Sequence, residues 1–162
     1  MSHPWSLLRD GSAARSFSDV PDDKGYWYAV WVDAAGAAEL SNAAGKTVEP
    51  GILYAGECPT QSLRRHLAHS NIGSLTLMYN LAALLRTSWR LTGSGLKLDE
   101  PGRTRLLNWM SEHLTATFVP GSAVPTFREL LVELDPPLRL QGYRPARTPL
   151  RMKIREERRP FA

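Results

Sequence analysis

One run of seven residues constrains the fold more than any other feature of this chain. Tyr26 to Val32 read YWYAVWV, a series of aromatic and β-branched side chains without a glycine, a proline or a charge. This composition predicts a buried β-strand. A second such run, ILYAGE, follows at residues 52–57. Between them, residues 33–51 read DAAGAAELSNAAGKTVEPG, with turn signals at both ends and in the middle, so we expect a hairpin with an enlarged loop.

The rest of the chain carries helical patterns interrupted by turn signals. We expect a helix from Thr60, and the other predicted elements are helices over residues 75–89, 103–114 and 126–134 and a strand over residues 115–121, with a loop at residues 92–102. With 162 residues, the chain has the length of one ordinary domain. The predicted fold is therefore a small α/β (α+β) domain with a largely antiparallel, three-stranded central sheet flanked by helices.

Positive charge is concentrated near the C-terminus. Residues 144–162 contain seven basic and two acidic residues, a balance of +5, while the rest of the chain sums to −1. Such a segment can contact phosphates and release counterions, or it can be a solvated helix or a fraying terminus. We divide the chain into an N-terminal arm (1–23), a central domain (24–143), and a basic C-terminal tail (144–162).

Several classes of protein are disfavoured by the sequence. The longest apolar run is far shorter than the roughly 20 residues that a membrane span needs. The first residues lack the pattern of a secretory signal, so we expect a cytoplasmic protein. A single cysteine, Cys58, excludes an intramolecular disulfide and a multi-cysteine zinc site. Cys58 is a small loop residue or, alternatively, a nucleophile.

A group of polar residues has the chemistry of a phosphate-handling site. Arg65 and His69 are four residues apart, on one face of the expected helix, and they combine a fork of donors for phosphate oxygens with a group that transfers protons near neutral pH. Tyr28 and Tyr54 lie on adjacent predicted strands and can point towards that helix. Glu129 is a carboxylate of the kind that holds Mg²⁺ together with water and a substrate phosphate. The alternatives, namely a solvated basic helix face, two core tyrosines and a surface glutamate, stay open here.

Several motifs of the chain, and their order along it, resemble those of the GIY-YIG endonuclease superfamily. The resemblance is greatest to a bacterial branch related to some restriction endonucleases. YWYAV and LYAG stand for its two tyrosine motifs, an arginine is followed four residues later by a histidine, and a glutamate lies in RELLVELDPPL. The segments NIGS, LAALL, LLNWMSEHL and ELDPPLRLQG also resemble parts of that branch in the same order. The resemblance runs from about Gly25 to the C-terminus.

The resemblance implies a GIY-YIG-like fold and the metal-dependent hydrolysis of phosphodiester bonds in DNA. Tyr28 and Tyr54 would be the tyrosines of the two motifs, and Arg65 would contact the scissile phosphate. His69 would help to activate the nucleophile. Glu129 would be the sole protein ligand of Mg²⁺ or of another divalent metal such as Mn²⁺.

Further residues are candidates for contact with nucleic acid: Arg64, His66, Asn71, Arg139, Arg151 and Lys153. Arg139 departs from the family pattern, in which DPPL is followed by asparagine, and Met78 stands where related sequences often carry an arginine. Because a guanidinium repels a metal ion and accepts no hydrogen bond, Arg139 is expected to weaken hydrolysis. This leaves two alternatives: a catalytically inactive nucleic-acid-binding protein on the same fold, and a repurposed enzyme that acts on a small molecule.

Overall fold

The computed structural model describes residues 4–67, 76–94, 97–123, 126–140 and 143–159. In chain order, its strands and α-helices are β1 (Tyr26–Val32), α1 (Ala34–Ala44), β2 (Gly51–Cys58), α2 (Leu63–Leu67), α3 (Thr76–Trp89), β3 (Gly93–Ser94), β4 (Lys97–Leu98), α4 (Glu100–His113), β5 (Leu114–Pro120), α5 (Phe127–Leu134) and α6 (Pro149–Arg158).

An antiparallel sheet of three strands lies at the centre of the fold. The strand order is β2-β1-β5, so the strand predicted from YWYAVWV is the central one and is paired along both edges. This position explains why its side chains are apolar on both faces. One face packs against residues from α1, α3, α4 and α6, and the other contributes Ala29 to a smaller cluster with Leu8 and Leu130. The predicted α+β class with a small antiparallel sheet is confirmed.

The segment between β1 and β2 is not the enlarged loop that we expected from residues 33–51. It contains the 11-residue helix α1. The Asp33 side chain caps this helix by accepting a hydrogen bond from the Gly36 N–H at 2.7 Å, and the helix ends at Gly45 in the left-handed conformation. The two strands still pair in antiparallel fashion, as predicted.

The later helices and the strand that the sequence predicted lie within three residues of their predicted positions. Helix α4 begins inside the segment predicted as a loop (92–102). Its first turn is capped by Asp99, whose side chain accepts a hydrogen bond from the Gly102 N–H at 2.9 Å. The same segment contains the short hairpin of β3 and β4. The helix expected from Thr60 begins at Leu63.

The N-terminal segment predicted as an arm packs onto the sheet. A 3-10 helix at Pro4–Arg9 lies against β5 and buries Leu8 completely. Further along, Arg15 and Ala116 exchange two backbone hydrogen bonds of 2.9 and 2.8 Å, which extend the edge of β5. The boundary at residue 23 therefore does not separate two packing units.

The basic C-terminal segment is also part of the core. Within it, α6 packs against α3 and buries Leu150 and Ile154. The predicted tail (144–162) is thus a docked helix over much of its described length. None of the described helices has the length and hydropathy needed to cross a bilayer.

Candidate functional site

Tyr28 and Tyr54 lie on the same face of the sheet, on two paired strands. Tyr28 is opposite Gly56 and Tyr54 is opposite Val30, so the tyrosines are diagonal neighbours with ring centroids 6.4 Å apart. Both side chains are almost fully buried, with exposures of 1% and 2%. A Cβ atom at position 56 would lie 2.3 Å from the Tyr28 hydroxyl oxygen. The glycine of the LYAG motif is therefore what lets the Tyr28 ring lie across β2.

The Tyr28 hydroxyl contacts a histidine on α2. Its oxygen lies 2.9 Å from Nε2 of the half-buried His66, and the two rings meet edge to face. Burial raises the pKa of the Tyr28 hydroxyl well above its ordinary value, and the nearby Tyr54 adds to the effect. Tyr28 therefore stays protonated at neutral pH, and its hydroxyl can donate to Nε2 in the tautomer of His66 that carries no hydrogen on that atom.

His66, and not Arg65, is the α2 side chain that reaches the tyrosines. The buried residues of this helix are Leu63 and Leu67, and a residue three positions after Leu63 lies on their side of the helix. The Arg65 side chain is exposed. The inward side of α2 is marked in the sequence by Leu63 and Leu67, whereas the pairing of Arg65 with His69 was predicted from the four-residue spacing alone. His69 lies outside the described residues.

Tyr54 is held by Arg139, from the segment after α5. Arg139 Nη1 donates to the Tyr54 hydroxyl at 2.7 Å and to the Ala55 carbonyl at 3.3 Å. The guanidinium carbon also lies 5.3 Å from the centroid of the Tyr54 ring and 5.5 Å from that of Phe127. We call Tyr28, Tyr54, His66 and Arg139 the tyrosine cluster. Its two hydroxyls contact different chemical groups, a histidine and a cation.

The backbone next to Arg139 is fixed from two sides. The Leu138 N–H donates to the Leu53 carbonyl at 3.0 Å, on the free edge of β2. The Leu138 carbonyl accepts a hydrogen bond of 2.5 Å from Nδ2 of the fully buried Asn80. Arg139 is therefore presented to Tyr54 by an ordered segment that also covers the sheet edge.

Arg151, a predicted contact with nucleic acid, does not lie on the surface. Its side chain is 2% exposed, and its Nη2 lies within hydrogen-bond distance of the Asp135 carboxylate (2.7 Å), the Pro136 carbonyl (3.0 Å) and the Tyr143 hydroxyl (2.9 Å). Desolvation opposes ionisation of Asp135, but hydrogen bonds from Arg151 and Tyr143 outweigh it and hold the pKa of Asp135 below its ordinary value. The expectation for Arg151 is thus corrected, because its donors stabilise the turn that leads to Arg139.

The four side chains of the tyrosine cluster include no carboxylate. Glu129, the predicted ligand, is exposed in the first turn of α5. Within the described ranges, no three histidine, cysteine, aspartate or glutamate side chains come together as a metal site. The charged group at Tyr54 is the Arg139 guanidinium, which has no acceptor atom and would repel a cation.

The other predicted contacts with nucleic acid are distributed over the molecule. The Arg64 guanidinium donates to the Val20 carbonyl at 3.0 and 3.2 Å, which ties α2 to the N-terminal segment. Lys153 lies on α6 and forms an ion pair of 2.8 Å with Glu157. Asn71 lies outside the described residues.

Comparison of the chain with models of protein families, with curated proteins and with solved structures found no match.

Proposed function

We propose that the protein hydrolyses phosphodiester bonds in DNA, with the tyrosine cluster as its reaction centre, in the cytoplasm as expected from the sequence. One observation carries this proposal: two buried tyrosine hydroxyls share a face of the sheet, one in contact with a histidine and the other with an arginine. Attack on a phosphate needs a group that removes a proton and a positive charge that stabilises the phosphate oxygens.

The proton would leave through Tyr28 and His66. As water attacks the phosphorus, its proton passes to the Tyr28 oxygen while the Tyr28 hydrogen moves to Nε2 of His66. No tyrosinate accumulates in this relay, in keeping with the raised pKa of Tyr28. The bond from phosphorus to the leaving oxygen breaks, and that oxygen takes a proton from the solvent.

The positive charge would come from Arg139, with the exposed Arg65 as a second donor to the phosphate. A guanidinium offers paired N–H groups that match phosphate oxygens. The buried setting of Tyr54 strengthens the field of Arg139, because little water is present to screen it.

The proposal shares its substrate and its two tyrosines with the resemblance to GIY-YIG endonucleases. It differs in two respects. His66 takes the role expected of His69, and Arg139 supplies the charge expected from a metal held by Glu129. These differences make the two mechanisms separable by experiment.

The test is a cleavage assay on duplex DNA, single-stranded DNA and RNA at high protein concentration, with Mg²⁺, with Mn²⁺ and with EDTA. We expect cleavage of DNA that persists in EDTA. His66→Ala and Tyr28→Phe should each reduce it by roughly 10²- to 10⁴-fold, the usual range for general acid–base groups. Arg139→Asn should also reduce it, while Glu129→Gln should match the exposed control Glu49→Gln.

Two results would contradict the mechanism. A gain of Mg²⁺-dependent cleavage in Arg139→Asn, abolished by Glu129→Gln, would restore the metal mechanism and identify Arg139 as an inhibitory residue. If no nucleic acid is cleaved under any condition, the protein is not a nuclease.

A second function, nucleic-acid binding without catalysis, is favoured by the contacts of Arg139. Its guanidinium donates to the Ala55 carbonyl at the sheet edge as well as to Tyr54, so part of its role is structural. This alternative predicts DNA binding that survives chelation and leaves the DNA intact.

A further inference from the structure

We propose that a groove between α6 and the loop after α1 binds the phosphate backbone of DNA. The inference deepens the proposed function and rests on it for the identity of the polyanion. The groove is an open cleft of about 650 Å³, and the charged residues that line it are Lys46, Arg147, Lys153, Arg155, Glu156 and Arg159. We call it the basic groove.

The fold directs these cations outward. Leu150, Arg151 and Ile154 are the buried residues of α6, at spacings of one and three. The opposite face of an amphipathic helix is solvated, and there Arg155 and Arg159 are exposed. Lys46 comes from the loop that follows α1, more than 100 positions earlier, and is exposed on the other side of the cleft. Two separate parts of the chain thus present positive charge to the same space.

The groove has few negative charges of its own. Lys153 is paired with Glu157 at 2.8 Å, and Glu157 also accepts from Arg86 at 2.7 Å. Within the part of the chain that the structure describes, no carboxylate forms an ion pair with Arg147, Arg155 or Arg159. Like charges held close together repel one another, and a bound polyanion relieves this repulsion.

The positive surface continues around α6. Arg155 and Arg159 also line a second cleft of about 280 Å³, together with Tyr79 and Arg158. The Arg158 guanidinium lies 4.2 Å from the centroid of the Tyr79 ring. A ten-residue helix is about 15 Å long, which corresponds to about four phosphates along one DNA strand. A nucleic-acid backbone, with its evenly spaced charges, fits this surface.

The test measures binding of a fluorescein-labelled duplex by anisotropy, in EDTA, between 50 and 200 mM NaCl. The full-length triple variant Arg147→Gln, Arg155→Gln and Arg159→Gln is compared with the wild type. Each phosphate contact contributes about −0.9 to the slope of log K against log salt. We therefore expect the variant to bind at least tenfold more weakly at 100 mM NaCl, with a slope smaller in magnitude by about 2 to 3.

A matched control separates the groove from net charge. Arg15→Gln, Arg90→Gln and Arg105→Gln remove the same charge from exposed positions elsewhere and should leave most of the slope intact. Equal losses in the two triple variants, or an unchanged slope in the groove variant, would overturn the proposal. Tighter binding to phosphatidylserine vesicles than to duplex DNA would also overturn it.

Failure of the groove and failure of the proposed function give different results. If the groove variant loses DNA binding and the wild type cleaves no nucleic acid, the groove stands and the hydrolytic function falls. If the wild type cleaves DNA and the groove variant binds and cleaves as well as it does, the tyrosine cluster stands and the groove falls. Circular dichroism checks that both triple variants are folded, as expected for exposed positions.

Discussion

The Tyr28 ring passes so close to Gly56 that no side chain fits at position 56. A Cβ atom at position 56 would lie 2.3 Å from the Tyr28 hydroxyl oxygen and 2.5 Å from its Cζ atom. Gly56→Ala should therefore lower the free energy of unfolding by about 1–3 kcal/mol, the usual cost of overpacking a core. Urea unfolding monitored by circular dichroism measures this change.

A double-mutant cycle tests whether the Tyr28 ring causes that cost. With Tyr28→Leu in the background, the alanine at position 56 meets no ring, so the cost of Gly56→Ala should largely disappear. Equal costs in both backgrounds would show that the ring is not what requires the glycine.

The raised pKa of Tyr28 has a consequence for stability at alkaline pH. An unfolded tyrosine loses its proton near pH 10, whereas the folded protein retains the proton of Tyr28 to higher pH. The free energy of unfolding should therefore fall as the pH rises above about 10, by up to about 1.4 kcal/mol per pH unit for this one proton. Tyr28→Phe should remove that part of the fall. Urea unfolding at pH 8, 10 and 11 compares the two proteins, and identical pH dependence would contradict the assignment.

The two tyrosines of the tyrosine cluster could be predicted from the sequence. The residues that contact their hydroxyls could be predicted only in part. Tyr28 and Tyr54 occur in short apolar runs that read as strands. His66 has a local signal, since it follows Leu63 by three residues on a helix whose leucines are buried. Arg139 reaches Tyr54 across 85 positions, and no local pattern marks such a contact.

At the scale of secondary-structure elements, α1 contains a glycine that close packing requires, although glycine in a sequence usually indicates a turn. Glycine is a residue type typical of turns, yet Gly36 lies inside the helix. A Cβ atom there would lie 2.8 Å from the His113 Cβ and 2.9 Å from the Val32 Cγ2. The glycine is therefore needed where α1 passes close to its neighbours, and only the assembled fold reveals this.

The turn between α5 and α6 depends on Arg151. Replacing it with methionine removes the donors to the Asp135 carboxylate, to the Tyr143 hydroxyl and to three backbone carbonyls, those of Asp135, Pro136 and Ala146, and the Pro136 carbonyl that loses its donor is buried. We expect Arg151→Met to lower the free energy of unfolding by at least about 2 kcal/mol. Arg151→Lys should lower the free energy of unfolding by nearly as much, because an ammonium group cannot reach so many acceptors.

Arg155→Met is the matched control, since Arg155 lies on the same helix with its side chain exposed. Its effect should stay within about 0.5 kcal/mol, as is usual for surface positions. Urea unfolding measures all three variants, and a similar loss for Arg151→Met and Arg155→Met would show that the buried hydrogen bonds contribute little.

For the whole molecule, the C-terminal segment (144–162) supplies both exposed positive charge and side chains of the hydrophobic core. The sequence identifies residues 144–162 as basic. Charge alone does not indicate whether a segment packs against the rest of the fold. Docking depends on Leu150 and Ile154, which are two apolar residues among many cations and form a weak pattern in the sequence. The structure thus joins a core face and a solvated basic face on α6.

A chain that ends at residue 143 should therefore fail to fold, and not merely lose affinity for DNA. It lacks Leu150 and Ile154, whose burial contributes about 1.5–3 kcal/mol each, and the hydrogen bonds of Arg151. Together these approach the 5–15 kcal/mol that stabilises an ordinary domain. Far-UV circular dichroism during heating should show no cooperative transition for the shortened chain.

The groove variant carrying Arg147→Gln, Arg155→Gln and Arg159→Gln is the control. It should unfold cooperatively near the wild-type temperature, because it loses charge and keeps the apolar face of α6. A cooperative transition of the shortened chain at the wild-type temperature would mean that α6 is a separable tail.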